Sequence, residues 1–444
     1  MIHADESRGY HAIVIGGGPA GLFLAARLAR LVAGQLPTTA GGGVLLLERM
    51  PKAGRKLLAS GSGQCNVTHQ GSVGDFLGHY GGAGRFLKKA LHAFSNEDLA
   101  AWLAERGVSL ESEEGGKLFP ASRRAGDVLN VLLSECTGRG VTVTTDARVT
   151  ALRRAGREVG GGGDSGDSET GFQVEAQAAD GSPMSFRSDL VALAAGGRSY
   201  PGTGSSGDGY RLAGSLGHSI VTPRPALTPV TLRDRALCSL AGLSFTDLSF
   251  TIRRLGKKIG DARGDILITH EGLSGPGILD ASRGLESGDL LELEFSGLGS
   301  EAFISTLSER IAASPRSLAR TVLSEAGLPK RLAELVCGLA GLGEATRCSD
   351  LRREARDSMA RMATAFPAEV AALGGFEKAM VTAGGVALDE VEPGSMASRI
   401  IGGLYFAGEV LDYDGDSGGY NLQAAFSTAD AAARAMATRL LAGR

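Results

Sequence analysis

Three glycines at a fixed spacing, Gly16-x-Gly18-x-x-Gly21, follow a short apolar run and open a run of helix formers. At a strand–turn–helix junction each has a use. The first permits the turn, the second lets a pyrophosphate approach the backbone, and the third lets helix and strand pack closely. Pro19 and Ala20 complete the turn, and the unpaired N–H groups of the helix N-terminus favour an anion. A second apolar run, Val44 to Leu47, ends at Glu48, whose carboxylate can accept the two hydroxyls of an adenosine ribose. An acidic residue there disfavours a 2′-phosphate, so the pattern points to FAD or NAD in preference to NADP.

Further residues suit the same cofactor. Gly408 and Glu409 follow the apolar run Leu404 to Ala407, and Ala195 and Gly196 end the run that starts at Leu190. Asp416 to Leu422, with Gly418, Gly419, Tyr420 and Asn421, leads into the C-terminal helix, whose N-terminus can stabilise negative charge on a reduced flavin ring. Arg49, Arg55 and Lys56 can neutralise a pyrophosphate or approach the flavin, and Val149 can offer main-chain groups to the adenine. For proton or redox work the candidates are His270, Cys65 and Tyr420, with Tyr200 behind them. Imidazole exchanges protons near neutral pH, whereas a lone cysteine without a neighbour gives no disulfide mechanism.

These residues need elements to hold them. His11 to Ile15, a buried helix from Leu22 to Leu31, and Val44 to Leu47 make one βαβ unit, joined by a loop from Gly34 to Gly43. Gly54 to Thr68 reads as a loop and Phe86 to Arg106 as a helix or helix pair. Gly140 to Leu152 and Gly171 to Ala178 read as strands around a hairpin tip at Gly160 to Ser168. From Arg224 to Phe295 short β-prone runs occur without helical pattern, and Phe303 to Thr364 is helical. β character returns at Lys378 to Val386 and at Gly403 to Ala407, before a helix from Leu422 to Ala442. The expected fold class is α/β. A Rossmann-type FAD-binding domain, discontinuous over residues 1–223 and 374–444, is interrupted by a small β-barrel at 224–300 and a helical segment at 301–373.

Composition limits the partners. In 444 residues, 46 Lys plus Arg against 49 Asp plus Glu leave a formal charge of -3, which gives no global field for a polyanion or an anionic membrane. Nucleic acid is therefore not the expected partner, although Arg253, Arg254, Lys257 and Lys258 form a local basic cluster. The 5 cysteines include no CxxC pair, so neither a disulfide framework nor a metal site is suggested. Without a signal peptide or an apolar run of membrane length, the expected location is the cytoplasm.

The motifs together resemble the BaiN/YhiN-like family of bacterial flavoproteins, also called the aminoacetone oxidase family. The resemblance is carried by IGGGPAG at Ile15 to Gly21, GRKLLASGSGQCNVTH at Gly54 to His69, GGKLFPASRRAGDV at Gly115 to Val128, and LAAGGRSYPGTGSSGDGYRLAGSLGH at Leu193 to His218. It continues through THEGLSGPGIL at Thr269 to Leu279 and the two stretches from Val381 to Ala429. It departs where relatives resemble SGGGRCNVTN: here Ser62, Gln64 and His69 replace Gly, Arg and Asn. The resemblance implies a two-part FAD domain with a barrel and helical insertion, and places Cys65 and Asn66 near the flavin.

It also implies non-covalent FAD, NAD(P)H as a transient co-substrate, and a small organic substrate. Relatives are linked both to reduction of enone-type steroid or bile-acid carbons and to amine oxidation with O2, and an FAD-containing RNA-modifying protein is the remaining alternative. The inserted segment is expected to close over the flavin, with His270 as the proton-transfer candidate.

Overall fold

A computed structural model describes residues 9–36, 42–113, 115–155 and 171–442. The chain divides into two compact units, Met1–Pro225 with Met380–Arg444, and Ala226–Ala379. The sequence reading placed these breaks at 223/224 and 373/374. The proposed hairpin tip at Gly160 to Ser168, and residues 37–41 of the loop from Gly34 to Gly43, lie outside the described residues.

The first unit is built on a sheet whose central strand β1 (Gly9–Ile15) pairs in parallel with β2 (Val44–Leu47) on one side and with Pro183–Leu193 on the other. Ala12, Ile13 and Val14 have no exposed surface, which is why the strand is apolar without alternation: both of its faces are covered. The order across the sheet is Thr142–Thr144, β2, β1, Pro183–Leu193, Phe172–Ala178 and Ala147–Arg154, with Leu404–Phe406 also on Pro183–Leu193. The first α-helix, α1 (Pro19–Val32), starts with proline at its first turn, where no backbone donor is lost.

The C-terminal helix, Tyr420–Ala442, packs along α1. Phe23 meets Phe426 edge-on at 5.3 Å, and Arg27 Nε donates to Asp430 Oδ1 at 2.7 Å. Both pairs are 403 positions apart, so the two helices run parallel with their N-termini side by side. Asp430 is fully buried and also accepts from Arg434 at 2.5 Å, as a buried charge requires.

The second unit contains a closed barrel in the order Val230–Leu232, Gly272–Ser274, Lys257–Ile268, Ser244–Arg254, Leu290–Glu294 and Phe366–Leu373. The last strand corrects the sequence reading, which assigned it to a helical segment. FPAEVAAL is rich in helix formers, yet Phe366, Ala368 and Val370 alternate inward and the strand pairs with Leu290–Glu294 on one side and Val230–Leu232 on the other. The helices between Ser300 and Thr364 share the barrel's core, where Phe250, Leu293 and Phe366 are buried in one cluster with Phe303, Leu332 and Met359. Barrel and helices thus form one unit.

Candidate functional site

The phosphate turn is shaped by the absence of side chains. A Cβ on Gly16 would meet Ala194 O at 2.4 Å and Ala195 Cα at 2.7 Å, and one on Gly21 would meet Gly16 O at 1.9 Å. Around Gly18 nothing lies within 4 Å of such an atom, so that side of the turn is open. No side chain caps α1 and its first turn holds no acid, which leaves its N–H groups for an anion.

Glu48 ends β2 beside this turn. Its Oε2 accepts from Gly17 N at 2.7 Å and its Oε1 from Met50 N at 2.8 Å. Burial pushes its carboxyl above the ordinary value, and the backbone donors and Arg49 only partly counter that. Each oxygen keeps a further lone pair for a ribose hydroxyl. The turn and Glu48 therefore fit the pyrophosphate and adenosine ribose of a dinucleotide.

A second group gathers around Glu409. Lys56 Nζ donates to Glu409 Oε2 at 2.6 Å and to Ser199 Oγ at 2.8 Å. Ser199 Oγ and Thr382 N donate to Glu409 Oε1 at 3.1 and 2.8 Å. Ser199 and Thr382 are fully buried. Lys56 therefore meets a carboxylate, and the sequence reading named neither Ser199 nor Thr382. Gly196, at φ +69°, lies beside Glu409 Oε2, and Gly408 packs on Ala20 at the start of α1.

The N-terminus of the C-terminal helix forms the third group. Asn66, with its amide turned to satisfy its neighbours, reaches Leu118 O, Thr68 O and Gly419 N at 3.2, 3.0 and 3.2 Å. Gly419 has no room for a side chain, since a Cβ would lie 2.5 Å from Thr68 O. Asn421 accepts from Gly415 N and donates to Gly415 O, each at 2.8 Å, which fixes the entry to the helix before Leu422. Asp416 bonds to His79 Nδ1 at 2.8 Å. Tyr420 is buried and its carbonyl accepts from Tyr80 OH at 2.8 Å.

Arg49 pairs with Asp208 at 3.1 Å and with Ser206, and Arg148 pairs with the same carboxylate. The Val149 carbonyl already accepts from Arg211 at 3.2 Å. Arg55 is exposed and makes no ion pair among the described residues. Cys65 is fully buried, and burial pushes its thiol up to about 11, which leaves little thiolate at neutral pH. His270 is exposed in the turn before Gly272–Ser274, with no hydrogen bond to orient it among the described residues. The basic cluster is largely neutralised within its own unit: Arg253 pairs with Glu292 at 2.8 Å, Arg254 with Asp289 at 2.8 Å, and Lys258 with Asp261 at 2.6 Å. Among the described residues no helix is long and apolar enough to cross a membrane.

Residues 10–435 match the family described as "HI0933-like protein Rossmann domain". The chain belongs to the HI0933-like Rossmann family. It thereby joins the FAD-dependent oxidoreductases that its motifs resemble, with a Rossmann-type FAD-binding fold. Over 437 residues it is 30% identical to the 3-dehydro-bile acid delta(4,6)-reductase of Clostridium scindens, covering 96% of this chain and 98% of that one. Over 429 residues it is 32% identical to the ribosomal RNA dihydrouridine synthase of Escherichia coli, covering 96% and 97%. Among solved structures, the 3-ketosteroid-delta4-(5alpha)-dehydrogenase of Rhodococcus jostii in complex with 4-androstene-3,17-dione shares the fold at a TM-score of 0.51 and 17% identity, over 98% of each chain.

Proposed function

We propose that this HI0933-like protein reduces a carbon–carbon double bond conjugated to a carbonyl, using non-covalent FAD and drawing electrons from NAD(P)H. The observation that carries this is the pair of full-length relatives. One is named for reducing a bile-acid delta(4,6) system and the other for making dihydrouridine, and both names describe hydrogenation of a double bond beside a carbonyl. Gly16, Gly18, Gly21 and Glu48 would hold the pyrophosphate and ribose, and the Gly408–Glu409 turn the linking chain. When bound and reduced by NAD(P)H, the flavin would supply the hydride for the β-carbon of the substrate. The protein's own part is to orient the ring, exclude water and deliver a proton to the α-carbon.

The substrate we favour is a small conjugated ketone. The formal charge of -3 and the internal pairing of Arg253, Arg254 and Lys258 weigh against a long polyanion. A second reading, uridine in RNA, is supported by the 32% identical relative. The test is product analysis under anaerobic conditions with NADH or NADPH. A conjugated ketone should gain two hydrogens, one of them deuterium when the reaction runs in D2O. Dihydrouridine formed in an RNA while ketones stay unchanged would select the second reading, and amine oxidation with O2 alone would refute both.

A further inference from the structure

The ring of Tyr420 stacks with two imidazoles, His79 with centroids 3.9 Å apart at 17° and His69 at 5.0 Å and 18°. Tyr420 is only 4% exposed, so it is a support for its neighbours. His79 is the member that reaches outward, with its side chain 37% exposed.

Its orientation is fixed twice. Asp416 Oδ2 sits 2.8 Å from His79 Nδ1, and Asp416 N donates to His79 O at 3.0 Å. A carboxylate on Nδ1 takes the proton of that nitrogen as its hydrogen bond, which leaves Nε2 as the exchanging position. His69 donates from Nδ1 to its neighbour's carbonyl, Gln70 O, at 2.7 Å, and makes no ion pair among the described residues. The stack stands at the N-terminus of the C-terminal helix, which lies beside the N-terminus of α1, one helix spacing of roughly 8–10 Å away.

We propose that His79, positioned by Asp416, is the proton-transfer group of the reaction given above. The proposal rests on that reading of the reaction. In the proton step the Nε2–H bond of the imidazolium breaks and a C–H bond forms at the substrate's α-carbon, using the electron pair displaced from the double bond. The imidazole then recovers a proton from water. The ionisable groups around His79 among the described residues are Asp416 before the helix, Asp75 on the helix Val73–Gly78, Tyr80, Tyr420 and, stacked on the same ring, His69.

Two readouts test this. Nitrogen-15 spectra of the histidines, taken without and with FAD, should show the Nδ1–H form of neutral His79, its loss in Asp416→Asn, and a shift of the His79 signals on adding FAD. In stopped flow, His79→Gln should keep flavin reduction by NAD(P)H. It should slow reoxidation by 2-cyclohexen-1-one, 4-androstene-3,17-dione or a uridine-containing RNA hairpin by roughly 10²-fold or more and remove one limb of the pH profile. Signals of His79 indifferent to FAD, or unchanged reoxidation in His79→Gln, would overturn the proposal. Failure of the wild type to turn over any of these probes would instead contradict the proposed reaction, and the spectra alone would then decide the place of His79.

Discussion

Lys56 Nζ lies 2.6 Å from Glu409 Oε2, tying the short helix Arg55–Ala59, where the sequence suggests a loop, to the turn before the C-terminal helix. The two side chains are 24% and 19% exposed, so neither is free to rehydrate if the other is lost. Lys56→Met and Glu409→Gln should each destabilise the FAD-free protein by about 1–3 kcal/mol. The double variant should lose less than the sum, because neither charge is then stranded. Urea unfolding of the four proteins measures this, and strict additivity would show that the pair does not act as one.

Glu48 makes a pH prediction. Burial holds its folded pKa above the ordinary 4.5. A raised folded pKa gives stability that is fully present below the unfolded value and lost as pH rises through the folded one. Without FAD the ionised carboxylate is therefore a cost at neutral pH. Glu48→Gln should flatten that part of the stability curve and weaken FAD at least about tenfold, since charged hydrogen bonds to the ribose are lost. Equal FAD dissociation constants would remove Glu48 from the ribose.

His218 carries the opposite sign. Its side chain is fully buried, with Nδ1 3.0 Å from Glu390 Oε2 and Nε2 2.8 Å from Ser398 Oγ. The constellation has the order of a serine–histidine–carboxylate triad. However, Ser398 Oγ accepts from Ile400 N and Ile401 N at 3.1 and 2.8 Å, so its lone pairs serve the chain. Burial lowers the His218 pKa from 6.5, although Glu390 pulls it back. Its contribution to stability is full above 6.5 and lost as pH falls through the lowered folded value. His218→Gln should be less stable at neutral pH and should lack the loss of stability just below 6.5; a wild-type curve flat across that window would refute this.

Ser62 occupies a left-handed conformation, φ 56° and ψ 35°, on the surface. Glycine adopts this conformation freely. Ser62→Gly should raise stability by up to about 1 kcal/mol, partly offset by the freer unfolded chain. Thermal unfolding measures it, and a lowered midpoint would show that the hydroxyl has a role of its own.

The legibility of this protein in its sequence follows the range of the interactions. Gly16 to Glu48 is local chemistry within one βαβ unit, and its spacing alone predicts the turn, the acid and their mutual placement. Phe366–Leu373 is misread because its alanines and glutamate favour helix, while pairing across the barrel decides its state. Glu409 is anticipated at a strand end, but Lys56 is 353 positions away from it and Ser199 is 210 away, and no short pattern announces them. His79 is a lone histidine whose carboxylate arrives 337 positions later. The basic cluster from Arg253 to Lys258 reads as a free patch only until the strands bring Asp261, Asp289 and Glu292 against it.

The central claim, that the Gly16–Gly21 turn holds the pyrophosphate of FAD, is tested most directly at Gly18. The space around a Cβ there is empty and its φ of -78° suits any residue, so Gly18→Trp should fold as the wild type does while filling the place of the phosphates. FAD titration followed by flavin fluorescence, beside circular dichroism, makes the comparison. The account predicts stoichiometric FAD on the wild type and its loss from a fully folded Gly18→Trp. A folded variant that binds FAD as the wild type does, or a wild type that cannot be loaded with FAD, would contradict it.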